Sequence, residues 1–103
     1  MSDSIINTDN APDPVGAYPH ARRVGNLLFL SGVGSRTPQT NEIPGGPIVD
    51  ENDKPLDYDV AAQTEQVVAN IKAVLAASGL TLNDVVDVTA YLIDMKRDFA
   101  AYN

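Results

Sequence analysis

The spacing of apolar residues changes several times along the chain, and each change marks an element. ARRVGNLLFLSGV, Ala21 to Val33, holds two short strand-like stretches parted by Gly25-Asn26, and a Gly-Asn pair between such flanks predicts a hairpin turn. The second stretch puts Leu28 and Leu30 on one face and Leu27, Phe29, Ser31 and Val33 on the other. Both faces are apolar, so this strand is expected to be covered on both sides. Residues 34–57 lose the rhythm and carry four prolines and three glycines, which predicts a long loop with a short strand at Pro47-Ile48-Val49. A loop of that length in a small domain is usually functional or mobile.

The next segment has a helical period. Val60, Thr64, Val67, Ile71 and Val74 recur at spacings of four and three, and Ala61, Val68 and Leu75 widen the stripe. The pattern predicts a helix over Tyr58–Ser78, capped by Asp57 or Asp59, with Gly79 as the residue just beyond its end. Gln63, Glu65, Gln66, Asn70 and Lys72 fall on its outer face. TLND, with Thr81 three residues ahead of Asp84, predicts a short capped turn. VVDVTAYLID then alternates as a strand does, and MKRDFAAYN opens a further helix capped near Asp98. So short a helix buries little, and the chain is therefore expected to be incomplete at its C-terminus. Residues 1–14 hold Asp, Asn and two prolines and predict a flexible N-terminal arm, leaving residues 15–103 as a single domain.

Composition narrows the functions open to such a chain. Its 103 residues make at most one domain with a modest core, and small domains of this kind often gain burial by oligomerising. Seven basic residues against fourteen acidic ones give a net charge of −7, a surface that repels nucleic acid unless the few arginines cluster. With no cysteine, disulfides, thiolate nucleophiles and cysteine-based metal sites are excluded, and one histidine, His20, makes no histidine-rich metal site. The polar, acidic N-terminus resembles neither a secretory signal nor an arginine-rich transit peptide. No apolar run approaches the roughly 18 residues of a membrane span. A cytoplasmic protein is expected.

Candidate chemistry gathers around the end of the second strand. Ser31 and Gly32 bring a hydroxyl and an uncovered backbone to a strand–loop junction, although many ordinary strands end the same way. Tyr18 suits an aromatic lid on the core. His20 suits proton transfer near neutral pH or a capping role. Arg36, in the following loop, offers a cation.

The stretches GAYPHARRVGNLLFLSG, QTEQVVANIKAVLAASGLTLNDVVDVTAYLIDM and DFAAYN, in this order, resemble the reactive-intermediate (imine/enamine) deaminases, the YjgF-type or RidA-like family. Tyr18-Pro19-His20 and SGVGSRTP, Ser31 to Pro38, look most like its 2-aminomuconate deaminase branch. The resemblance implies an α+β, chorismate-mutase-like fold, a mixed sheet backed by two helices. It implies a homotrimer with a ligand cleft at each subunit interface, and no cofactor or metal. The implied chemistry is hydrolysis of an enamine or imine acid: the enamine tautomerises, water adds, and ammonia leaves. Tyr18, Ser31 and Asn103 are then the catalytic candidates. His20, Gly32 and Arg36 are the substrate-binding ones, with Arg36 the better grip for a second carboxylate. By the same resemblance, the family's carboxylate-gripping arginine and water-orienting glutamate lie beyond Asn103. Two other readings stand beside it: a non-catalytic member binding a small ligand or a protein, and a nuclease or translation-directed protein, which the charge of −7 disfavours.

Overall fold

The computed structural model describes residues 4–103. Strands β1 (Ser4–Ile6), β2 (Ala21–Val24) and β3 (Leu27–Leu30) form an antiparallel sheet in the order β1-β2-β3. The β2–β3 turn falls at Gly25-Asn26 as the sequence predicts. Gly25 takes φ +58° and Asn26 stays on the ordinary side, the pattern of a two-residue II′ hairpin. Residues 1–3 of the segment expected to be a flexible arm lie outside the described residues; β1 lies within the rest of that segment, where Ile5 pairs with Arg22 and Ile6 with Ala21. Three residues alternating Ser-Ile-Ile are too few to stand out from a polar terminus, yet they suffice once a hairpin edge is available.

Helix α1 spans Val60–Ala77. Asp59 is its cap, accepting the N–H groups of Ala61 and Ala62 at 3.0 and 3.3 Å. At the other end Gly79 N–H reaches the Ala76 carbonyl and Leu80 N–H the Leu75 carbonyl, a Schellman closure that requires the positive φ of Gly79. Val74 and Ala73 pack on Ala11 and on Ala21, Ile6, Leu28 and Leu30, the last four sharing the helix-facing side of the sheet. The opposite face, with Ile5, Val24, Leu27 and Phe29, is open: Leu27 is 53% and Phe29 58% exposed. Among the described residues, the cover expected on both sides of β3 is supplied on one side only.

Loop 34–57 contains no strand, only a bridge between Val49 and Pro55. It docks on the start of α1, where Asp59 N–H donates to the Gly45 carbonyl and Gln63 Nε2 to the Gly46 carbonyl. A 3-10 turn follows at Leu82–Asp84, with the predicted reciprocal cap between Thr81 and Asp84. Residues 85–93 are the largest departure. They form no strand, because alternation specifies a face but not a partner, and no ladder neighbour exists for them among the described residues. Val86 and Tyr91 are 87% and 91% exposed.

Helix α2 spans Met95–Tyr102 and is capped by Asp94, not Asp98. Asp98 is instead buried against α1's entrance, where it accepts the Tyr58 hydroxyl proton. Arg97 lies 4.0 Å from the centre of the Tyr58 ring and bonds Asp57 at 2.9 Å and the Tyr58 carbonyl at 2.6 Å. This cluster ties an eight-residue helix to a segment some forty positions earlier. The hydrogen bond to Asp98 holds the Tyr58 phenol above its usual range, with burial adding to the effect. A proton held more tightly when folded stabilises the fold below the unfolded phenol's pKa, and that contribution is lost as pH rises through the folded value. Thermal melts from about pH 8 to about pH 11 are expected to show Tyr58→Phe less stable than wild type at the lower end. The gap should narrow toward the upper end. A gap independent of pH would remove the Tyr58 proton from the account.

Candidate active site

A cavity of about 240 Å³ opens where the end of β3 meets α1 and the N-terminal segment. The strand end supplies Ser31, Gly32, Val33 and Gly34, and the loop beyond it Arg36. Asn70 and Val74 of α1 form the floor. Tyr18 and His20 close one side, and Pro12, Pro14 and Val15 the rim. Five of the six residues singled out from sequence thus line one space. Asn103 does not: it ends α2, exposed, with its N–H on the Phe99 carbonyl.

Ser31 is held by main-chain groups at both its N–H and its hydroxyl. Its N–H donates to the His20 carbonyl at 3.0 Å and its Oγ to the Pro19 carbonyl at 2.7 Å. The hydroxyl proton is therefore engaged, and what Ser31 presents to the cavity is an acceptor lone pair. Gly32 has open space where a Cβ would stand, so an occupant can come close to the backbone there. Tyr18 lies with its ring over Gly16, where a side chain would meet the ring at 2.7 Å.

Arg36 brings the cavity its cation. Its guanidinium donates to Asn41 Oδ1 at 2.9 Å and to the Asp13 carbonyl at 2.7 Å. Among the described residues no carboxylate lies within ion-pair distance of it. A fixed guanidinium with N–H groups to spare is suited to an anion that fits the cavity.

His20 lines the same cavity. Its Nδ1 accepts the Thr8 N–H at 3.2 Å and its Nε2 donates to the Pro12 carbonyl at 2.7 Å, which defines the neutral Nε2–H form. Both ring nitrogens are engaged by the chain itself, and through them His20 fastens the N-terminal segment beside the cavity it lines. Asn70, placed on the outer face by helical spacing, is only 1% exposed. The signal was present, since Asn70 stands four residues before Val74 and three after Val67, both on the apolar stripe. Among the described residues no group of His, Cys, Asp or Glu comes together to hold a metal, and no helix is long and apolar enough to cross a membrane.

The chain's relatives agree with this architecture. A family model described as endoribonuclease L-PSP matches residues 8–103. A RutC family protein of Pyrococcus horikoshii is 46% identical over 99 residues, covering 96% of this chain and 68% of that one. The 2-iminobutanoate/2-iminopropanoate deaminase of Escherichia coli K12 is 36% identical over 98 residues, covering 95% of this chain and 66% of the enzyme. Of solved structures, the YjgF gene product of E. coli superposes with a TM-score of 0.78 at 34% identity, over 96% of this chain and 67% of that one. Matched along nearly its whole length in both sequence and α+β fold, the chain belongs to the YjgF/RidA/RutC family, the family described as endoribonuclease L-PSP.

Proposed function

We propose that the protein is a cofactor-independent hydrolase of enamine and imine acids, releasing ammonia and a keto acid, and that it favours substrates of the 2-aminomuconate type. The observation that carries this reading is the Arg36 guanidinium, fixed in the cavity wall beside Tyr18, Ser31 and Gly32 without a carboxylate partner among the described residues. The similarity to a 2-iminobutanoate/2-iminopropanoate deaminase supports the reaction class. The reaction asks little covalent chemistry of a protein. A water oxygen adds to the iminium carbon, a proton passes to nitrogen, the carbon–nitrogen bond breaks, and ammonia leaves as the carbonyl forms. Holding the carboxylate end and placing the water are the tasks left to side chains. In this reading Arg36 takes the second carboxylate, while the Ser31 lone pair and Tyr18, both lining the cavity, orient the water.

Ammonia release from an imino acid generated in place tests the reading. Release well above the buffer rate is expected, with a chelator leaving the rate unchanged. No acceleration would favour the second reading, a ligand-binding member of the same fold, which the full engagement of both His20 nitrogens also favours.

The assembly we infer is a homotrimer in the cytoplasm, with clefts between subunits. Its support is the open sheet face of Ile5, Val24, Leu27 and Phe29, an apolar surface that a monomer would leave in water. Light scattering at micromolar concentration is expected to give three times the chain mass. A monomer mass would overturn the assembly and, with it, the interface clefts.

A further inference from the structure

The cavity wall from Gly32 to Arg36 is neither strand nor helix. Among the described residues its main chain takes part in only two hydrogen bonds, and one side chain makes both. Asn70 Nδ2 donates to the Gly34 carbonyl at 3.0 Å and to the Arg36 carbonyl at 2.8 Å. Asn70 Oδ1 is itself held by Gln66 Nε2 at 2.9 Å. Both carboxamide protons are thus committed, and the group is buried in the middle of the longest helix. Arg36 is consequently fixed at two ends, its carbonyl by Asn70 and its guanidinium by Asn41 and the Asp13 carbonyl.

We propose that Asn70 is the positioning residue of the cavity's anion subsite: by clamping the Gly34 and Arg36 carbonyls it fixes the backbone from which the Arg36 guanidinium meets a second carboxylate. This rests on the reading of the cavity as a site for carboxylate substrates. The segment has glycine at 32 and 34, so without the clamp it has unusual backbone freedom. The ordering cost then falls on ligand binding. Preorganised donors are worth more than mobile ones for the same reason. The effect should be felt only by ligands that use Arg36.

Muconate and sorbate separate the cases, being six-carbon dienes with two carboxylates and one. Calorimetric titration of the whole protein is expected to show tighter binding of muconate. Asn70→Ala should weaken muconate by about 3- to 30-fold and sorbate by less than about twofold. In the Arg36→Ala background, Asn70→Ala should no longer alter the ratio of the two affinities. Equal losses on both ligands, or the same selective loss without Arg36, would overturn the proposal. Should Asn70→Ala fail to fold, Gln66→Ala, which frees the Asn70 carboxamide, carries the test. It should lower muconate affinity selectively by a smaller factor, and an unselective effect would overturn the proposal equally. If wild type shows no preference for muconate, or Arg36→Ala leaves the preference intact, the dicarboxylate reading itself fails. If Arg36→Ala abolishes the preference while Asn70→Ala is unselective, only the role of Asn70 fails.

Discussion

Replacing Arg36 by alanine is expected to lower catalytic efficiency toward a dicarboxylate imino acid by about tenfold to a few hundredfold, while a short monocarboxylate imine changes far less. The factor corresponds to about 1.4–3 kcal/mol, the range for a hydrogen bond to a charged group. A six-carbon substrate with a carboxylate at each end needs two separate anion partners, and an unpaired buried carboxylate is costly. Arg36 is the cation lining the cavity that lacks a carboxylate of its own among the described residues. Its contacts to Asn41 Oδ1 and the Asp13 carbonyl hold the side chain without neutralising it. Arg36→Lys should recover part of the loss, since it keeps the charge and gives up the planar fork. Steady-state kinetics on both substrates decides the matter. Equal losses on the two would make Arg36 a wall residue and remove the second-carboxylate reading.

How much of this was legible in the sequence depended on whether the deciding interaction was local. The hairpin at Gly25-Asn26, the Asp59 cap, the Gly79 closure and the Thr81–Asp84 turn are each determined within a few residues, and each is found where the pattern places it. The cavity, too, was partly visible, because Ser31, Gly32 and Arg36 are close in sequence and Tyr18 and His20 precede the paired strand. What escaped is long-range and polar. Asn70 reads as an outward residue until the loop carbonyls 34 and 36 positions away are brought to it. Asp98 reads as a helix cap because acidic residues favour first turns, yet the actual cap is Asp94, and Asp98 is drawn inward by a tyrosine 40 positions earlier. Residues 85–93 alternate as a strand should, but strand formation needs a second backbone, and period-2 patterning says nothing about where that backbone is.

His20 belongs to the same class, and its loss is expected to act on every occupant of the cavity alike. Thr8 N–H and the Pro12 carbonyl are separated by four positions in a segment with little structure of its own, and one imidazole satisfies both. Ala11, buried between them at 4% exposure, packs on Ala21 and Val74. The segment that results is a wall of the cavity, carrying Pro12, Pro14 and Val15 at its rim. His20→Ala leaves a donor and an acceptor without partners and removes two of this wall's polar attachments, leaving the Arg36 bond to the Asp13 carbonyl in place. The expected loss of stability is about 1–3 kcal/mol, with melting temperature falling by about 4–8 °C per kcal/mol in a domain of this size. Hydrogen exchange at Thr8 should accelerate well before the helix core is affected. Muconate and sorbate should both bind more weakly and by similar factors, because a loosened wall is lost to every occupant, whereas Arg36 is lost only to those with a second carboxylate. His20→Gln, which can still make one of the two bonds, should fall between. Unchanged exchange at Thr8 together with unchanged affinities would show that Ala11 packing alone holds the segment, and the imidazole would then need another explanation.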